Sequence, residues 1–170
     1  MVVVSVSVPR LSAFARHENV ADAQLMVRRL AQTFDDPALA SALPADTLEL
    51  FSRLPRASRR QFEDQTAVDG AREGGASRSL LLRHGYYFEF LRLPTFAGDA
   101  QGVPAVRAWP ERCTTPALPS FLALSGKVVL RHDALDPAPG GCDHPPQVAS
   151  PLVFDLRAHG WTSLAAGDAE

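Results

Sequence analysis

Helical and strand-like hydrophobic patterns occupy different halves of this 170-residue chain. The first half carries apolar residues at the three- and four-residue spacing of a buried helix face: Ala23, Met26, Val27, Leu30 and Phe34. In the second half, segments 79–83 and 86–93 are rich in aliphatic and aromatic residues, and only His84 and Gly85 separate them, which predicts a β-hairpin. Segregation of helices from strands is typical of the α+β class.

The helical half is predicted to cover residues 9–68, and its first helix follows an Asn19 cap. Further helices are predicted over 36–43, 44–54 and 58–68, because proline or a capping residue begins each of the first two. The inward positions expected in the helix over 44–54 are Leu48, Phe51 and Leu54. The glycines of segment 69–75 predict a flexible loop after these helices.

The strand-rich half is predicted to cover residues 78–160. Ser125 and Gly126 separate a second pair of apolar runs, which indicates another hairpin. Shorter strands are predicted over 105–109 and 152–157, within and after long proline-rich loops, and a frayed tail over 161–170. At the other end, valine alternates with serine up to Val8, the pattern of a strand that has one buried face.

We therefore predict a single α+β domain over residues 1–170. Its N-terminal helices pack on a mainly antiparallel sheet, which is built from the C-terminal half plus the N-terminal strand. Hydrophobic residues make up 46% of the chain and charged residues 21%, which are ordinary values for a globular protein. No uncharged apolar run approaches the roughly 18 residues needed to span a bilayer, and no export signal is evident, so we expect a cytoplasmic protein.

Arg83, His84 and Gly85 follow three leucines, and this string resembles the signature of the histidine phosphatase family. The resemblance implies a phosphorylated histidine at His84 and a phosphate-binding arginine at Arg83. It also implies that His159 corresponds to the family's downstream histidine. A neutral imidazole can attack phosphorus while arginine stabilises the charge on the phosphoryl oxygens. The same residues also fit a hairpin turn at His84 and Gly85 that follows a solvated strand residue, Arg83. We prefer this interpretation because the signature lies mid-chain.

Three glycines and two arginines occur between Gly70 and Arg78, and the backbone N–H groups of such a glycine-rich segment can be directed towards an anion. The Gly70-x-Arg72 part resembles the phosphate loop of the ParB and sulfiredoxin group, which implies nucleotide binding or nuclease activity. Gly74 and Arg78 complete the candidate phosphate site. The alternative is a plain connector between the helices and the sheet.

Arg53, Arg56, Arg59 and Arg60 form the densest basic cluster in the sequence. Such a cluster can bind an acidic protein surface or nucleic acid, or can be a solvated face. Tyr86, Tyr87 and Trp109 suggest an exposed aromatic face, and tyrosine, tryptophan and arginine are frequent in interface hot spots. Alternation along the strand also places Glu89 on a partly exposed face.

The cysteines and histidines do not form a recognisable metal site. Cys113, His132, Cys142 and His144 have suitable side chains, but their spacing matches no zinc finger or ribbon, so we predict free thiols and no metal. No dinucleotide fingerprint or other complete catalytic motif occurs, and we predict no cofactor.

The leading hypothesis is a non-catalytic interaction protein: a small regulator, inhibitor or accessory factor whose partner is a protein with an acidic surface. The alternatives are a phosphate-handling enzyme, through segment 70–78 or through Arg83 and His84, and a DNA-binding regulator. Nucleic acid is not specifically indicated, because the net charge is −2 and no aromatic residues interleave with the arginine cluster.

Overall fold

The protein was analysed as a computed structural model. The structure describes residues 4–35, 46–60, 66–73, 76–93, 102–112, 118–124, 129–133, 148 and 153–164.

One long helix dominates the N-terminal part of the chain. Helix α1 spans Val4–Gln32 and continues into a single 3-10 turn, Thr33–Asp35. The predicted inward face is confirmed, because all five predicted residues are buried: Ala23, Met26, Val27, Leu30 and Phe34. Within the described residues, no helix combines the length and the apolarity needed to cross a membrane.

The predicted N-terminal strand is wrong, since Val4–Val8 belong to helix α1 and Asn19 lies in its interior rather than at its cap. Alternation of valine with serine gives only a weak local preference for a strand. A helix that is already formed over its packed segment grows by one residue at a time without repeating the cost of nucleation, so it can extend through such a stretch.

Two short helices follow. Helix α2 spans Thr47–Arg53, and Asp46 caps it by accepting a hydrogen bond from the Glu49 amide at 2.8 Å. Helix α3 spans Arg56–Arg60. The predicted inward position Leu48 is wrong, because Leu48 is 39% exposed whereas Thr47 and Leu50 are buried. The other two predicted inward positions are confirmed, since Leu54 is buried and Phe51 packs against the core.

The other predicted helices have different outcomes. The one over 58–68 is wrong in its second part, where strand β1 begins at Thr66. The one over 36–43 lies outside the described residues.

Among the described residues, seven strands form one antiparallel sheet in the order β1-β2-β3-β4-β5-β6-β7. The strands are β1 Thr66–Glu73, β2 Ala76–Arg83, β3 Tyr86–Leu93, β4 Val103–Pro110, β5 Ser120–Leu124, β6 Val129–His132 and β7 Trp161–Ser163. Each strand pairs with its sequence neighbour, so the sheet is a simple meander. The α+β prediction is thus confirmed, with the helical layer on a sheet from the C-terminal half.

Both faces of the sheet carry buried side chains. Helix α1 packs on the face that carries Leu81, Phe88 and Phe121. The opposite face carries a leucine-rich cluster against Leu156 of helix α4, which spans Val153–Ala158. The predicted strand over 152–157 is therefore wrong where it is described. The predicted frayed tail over 161–170 is also wrong at its start, because Trp161 begins strand β7 and is 1% exposed.

The two predicted hairpins are present. His84 and Gly85 form the turn between β2 and β3, both with positive φ (46° and 75°), as the favoured two-residue hairpin turns require. Strands β5 and β6 pair in register from Ser120↔His132 to Ala123↔Val129. The predicted strand over 105–109 is confirmed as part of β4.

Candidate functional site

The arginine cluster divides into a paired member and three exposed members. Arg53 lies in the last turn of α2 and forms an ion pair with Glu49 one turn earlier. Arg56, Arg59 and Arg60 lie on helix α3 and are exposed. No carboxylate in the described part of the chain pairs with any of these three guanidinium groups, so three positive charges share one short helix.

Local backbone contacts fix where this helix sits. The Leu54 amide donates to the Phe51 carbonyl at 3.1 Å, which ends α2, and the Arg59 amide donates to the Pro55 carbonyl at 3.0 Å, which starts α3. Helix α2 is itself tied to the sheet, because the Thr47 hydroxyl accepts a hydrogen bond from the Phe90 amide of β3 at 2.8 Å. The exposed arginines therefore follow directly on an anchored helix.

An apolar side chain is exposed on the preceding helix, α2. Leu48 is on the outer side of α2, one turn before the exposed Ser52. We call Leu48 together with Arg56, Arg59 and Arg60 the arginine surface.

The predicted aromatic face is buried. Tyr86 is fully buried beneath α1, where its hydroxyl donates to the Pro119 carbonyl at 3.0 Å. Tyr87 and Trp109 are buried on the opposite face of the sheet, with ring centroids 5.7 Å apart. The prediction that these three residues form an exposed surface is therefore wrong, because the side chains on both faces of β3 are buried there.

Two polar side chains in this region, Tyr86 and Glu89, are buried. Burial raises the pKa of the Tyr86 hydroxyl well above its ordinary value, and the positive charge of Arg131 offsets this only in part. Glu89 is 5% exposed rather than solvated, and it accepts a hydrogen bond from Arg107 Nε at 2.6 Å. The Arg107 guanidinium also lies over the Trp109 ring, 5.3 Å from its centroid.

Arg83 and His84, the phosphatase-like residues, converge on a carboxylate of helix α1. Arg83 is 6% exposed, and its Nε and Nη2 donate to the two carboxylate oxygens of Asp22 at 2.7 and 3.2 Å. His84 Nδ1 lies 3.1 Å from the same carboxylate. The expectation of a solvated Arg83 is wrong, and the cluster joins α1 to the β2–β3 turn.

His159, the third member of the phosphatase hypothesis, lies elsewhere. It occupies the turn between α4 and β7, whereas His84 adjoins β3, four strands away in the sheet order. At roughly 4.8 Å per strand, the separation along the sheet is about 19 Å. The topology does not bring the two histidines to neighbouring strands.

The predicted glycine-rich loop is instead a strand pair. Gly70 and Arg78 are register partners in β1 and β2, and Arg72 lies in β1 next to an irregularity of the ladder. Backbone N–H groups that join strands are not directed together at an anion. Gly74 lies outside the described residues, as do Cys113, Cys142 and His144. The described residues contain no group of three metal-ligating side chains.

One polar arrangement was not predicted from the sequence. Ser120, His132 and Trp161 are neighbours across β5, β6 and β7, and each carries a buried polar atom without a hydrogen-bond partner in the described part of the chain. Alternation within each strand could have assigned a face to each residue, but only the register between strands places them side by side.

No protein-family model, curated protein or solved structure matches this chain.

Proposed function

We propose that this protein is a non-catalytic cytoplasmic accessory factor, a regulator or inhibitor, that docks through the arginine surface onto an acidic patch of a partner protein. The observation that supports the proposal is the concentration of three exposed guanidinium groups on helix α3, with no described carboxylate paired to them. An exposed surface charge can attract a partner of opposite charge.

Leu48 gives this surface an apolar element. Arginine is enriched at interface hot spots because its planar guanidinium binds carboxylates in a bidentate manner, and its aliphatic stem also packs on apolar groups. An exposed leucine on α2 together with exposed arginines on α3 therefore fits a protein surface that combines carboxylates with an apolar contact. A nucleic acid would use the charges but would gain little from Leu48.

The proposal is tested by quantitative capture from a native lysate after nuclease treatment. The bait is the tagged full chain, as wild type and as a variant with Arg56→Ala, Arg59→Ala and Arg60→Ala. We expect the wild type to retain an acidic protein in a fixed stoichiometry and the variant to lose at least about 90% of it, which corresponds to roughly 1.4 kcal/mol of binding free energy. Arg53 stays unchanged because it is paired within α2.

A matched control removes the same amount of charge elsewhere. The control variant carries Arg16→Ala, Arg112→Ala and Arg131→Ala, which lie on α1, after β4 and in β6. We expect it to retain the partner. Equal loss in both variants would show a nonspecific dependence on net charge, and loss of the captured material on nuclease treatment would favour the DNA-binding alternative; either result contradicts the proposal.

A further inference from the structure

A row of three polar side chains crosses strands β5, β6 and β7. Ser120 pairs in register with His132, and His132 pairs with Trp161. Directly opposed residues of antiparallel strands project from the same face, with Cβ atoms about 4.5–5.5 Å apart. The His132 and Trp161 rings are accordingly in edge contact, with centroids 5.2 Å apart. We call these three residues the polar row.

The polar row is unusual in its hydrogen bonding. Ser120 Oγ, His132 Nδ1 and Trp161 Nε1 are all buried atoms, and none has a hydrogen-bond partner among the described residues. Ser120 is 0% exposed and Trp161 1% exposed. Buried polar side-chain atoms in folded proteins are nearly always hydrogen-bonded, so adjacent unpaired ones on one face indicate a group that the protein binds there.

The available chemistry specifies the charge of that group. The indole Nε1 can only donate, the serine hydroxyl can donate, and His132 Nδ1 donates in one tautomer and in the protonated ring. The other ring nitrogen is directed elsewhere, since a Cβ added to Gly160 would lie 3.1 Å from His132 Nε2. Three donors side by side match a ligand group that carries several acceptor lone pairs.

The surroundings favour a single negative charge. Trp161 of the polar row also belongs to an apolar cluster that contains Leu130 and Leu156. On the same face, Arg107 pairs in register with Leu122, two residues from Ser120, and its charge is compensated by its ion pair with Glu89. Arg157 adds an exposed guanidinium at the periphery, with its Nη2 3.5 Å from Ser163 Oγ. Neutral dipoles and one peripheral guanidinium can compensate a monoanion in an apolar setting, whereas a phosphate dianion would require more positive charge.

We propose that the polar row binds the carboxylate group of a small organic acid. Trp161 Nε1 and Ser120 Oγ donate to its oxygens, and His132 Nδ1 supplies the third hydrogen bond. His132 is only partly buried, so the ligand enters beside its ring. This inference is independent of the docking proposal, because it concerns a different part of the sheet.

Nuclear magnetic resonance of the two tryptophan indole N–H groups tests it on the unmodified full chain. The signals of Trp109 and Trp161 are assigned with Trp161→Phe, and sodium acetate is added at constant ionic strength against sodium chloride. We expect a saturable shift of the Trp161 signal with a Kd on the order of 1 mM, and a smaller change at Trp109, which follows Ala108, the register partner of Phe121. Ser120→Ala should weaken binding at least about fivefold, because it removes one donor.

Thr162→Ala provides the matched control, since it also removes one hydroxyl from β7, but from an exposed side chain that donates to the Arg131 carbonyl. Binding should be unchanged in this variant. The absence of a saturable shift up to about 100 mM acetate, or an equal saturable shift with chloride or inorganic phosphate, would overturn the inference. The wild-type titration decides the matter even if a variant is poorly folded.

Discussion

Two arginine–carboxylate pairs in this molecule have the same chemistry but different exposure. Arg83 is 6% exposed, and it contacts Asp22 at 2.7 Å across the interface of helix α1 and the sheet. Arg131 contacts Asp133 at the same distance, but these side chains are 39% and 60% exposed. Solvent screens the attraction within the second pair. In the first pair, removal of the Asp22 charge would leave the buried Arg83 guanidinium without its nearest negative charge.

We therefore expect Asp22→Asn to destabilise the fold by about 1–3 kcal/mol, because it weakens the interaction with buried Arg83. Asp133→Asn should cost less than about 0.5 kcal/mol. Urea denaturation of both variants measures the difference directly. Equal effects would contradict the assignment of Arg83 and Asp22 as a contact that joins α1 to the sheet.

Tyr86 should make stability sensitive to alkaline pH. Its pKa is raised by burial in the fold, so the fold favours the neutral phenol relative to the unfolded chain. This contribution is fully present below a pH of about 10, the pKa of tyrosine in an unfolded chain, and it is lost as the pH rises above that value. One proton corresponds to a slope of about 1.4 kcal/mol per pH unit.

Tyr86→Phe should flatten the alkaline fall of the unfolding free energy by up to this slope. At neutral pH the variant should be destabilised by about 1 kcal/mol, because the Pro119 carbonyl loses its donor. Chemical denaturation at pH 8 and at several values above 10 provides the test. Parallel pH profiles for wild type and variant would show that Tyr86 does not carry the effect.

At the scale of elements, the turn at His84 and Gly85 was predicted correctly, whereas helix and strand assignment failed where tertiary packing decides. His84 and Gly85 predicted their hairpin because few residues tolerate positive φ. In contrast, the apolar run over 152–157 is short enough to fit a strand or a helix, and it forms α4 because Leu156 packs on the sheet. Short apolar patterns do not contain that information.

The two turn glycines should respond differently to alanine. Gly85 has positive φ and open space around an added Cβ, so Gly85→Ala should cost about 1–2 kcal/mol from backbone strain alone. Gly160 also has positive φ (84°), and its added Cβ would lie 3.1 Å from His132 Nε2. Gly160→Ala should therefore cost more than Gly85→Ala in thermal or urea unfolding, and the opposite order would contradict the contact between Gly160 and His132.

For the whole molecule, segregated hydrophobic periods were sufficient to predict the α+β class, but not the placement of polar residues. Glu89 was expected on a partly exposed face, and Tyr87 and Trp109 on an exposed one, because alternation assigns faces without showing what covers them. The polar row depends on the register of three strands, which one sequence does not contain. The exposed arginines were found because a dense charge cluster needs no tertiary information to be recognised.

Site-specific photo-cross-linking tests directly whether the arginine surface contacts a partner protein. A photoreactive residue replaces Ala57, which is exposed between the arginines of α3, and in a control replaces Thr162, which is exposed on β7. We predict one dominant cross-linked protein with an acidic surface for the probe at position 57, and none at position 162. Cross-linking to nucleic acid, the same products from both positions, or no product at position 57 would contradict the proposal.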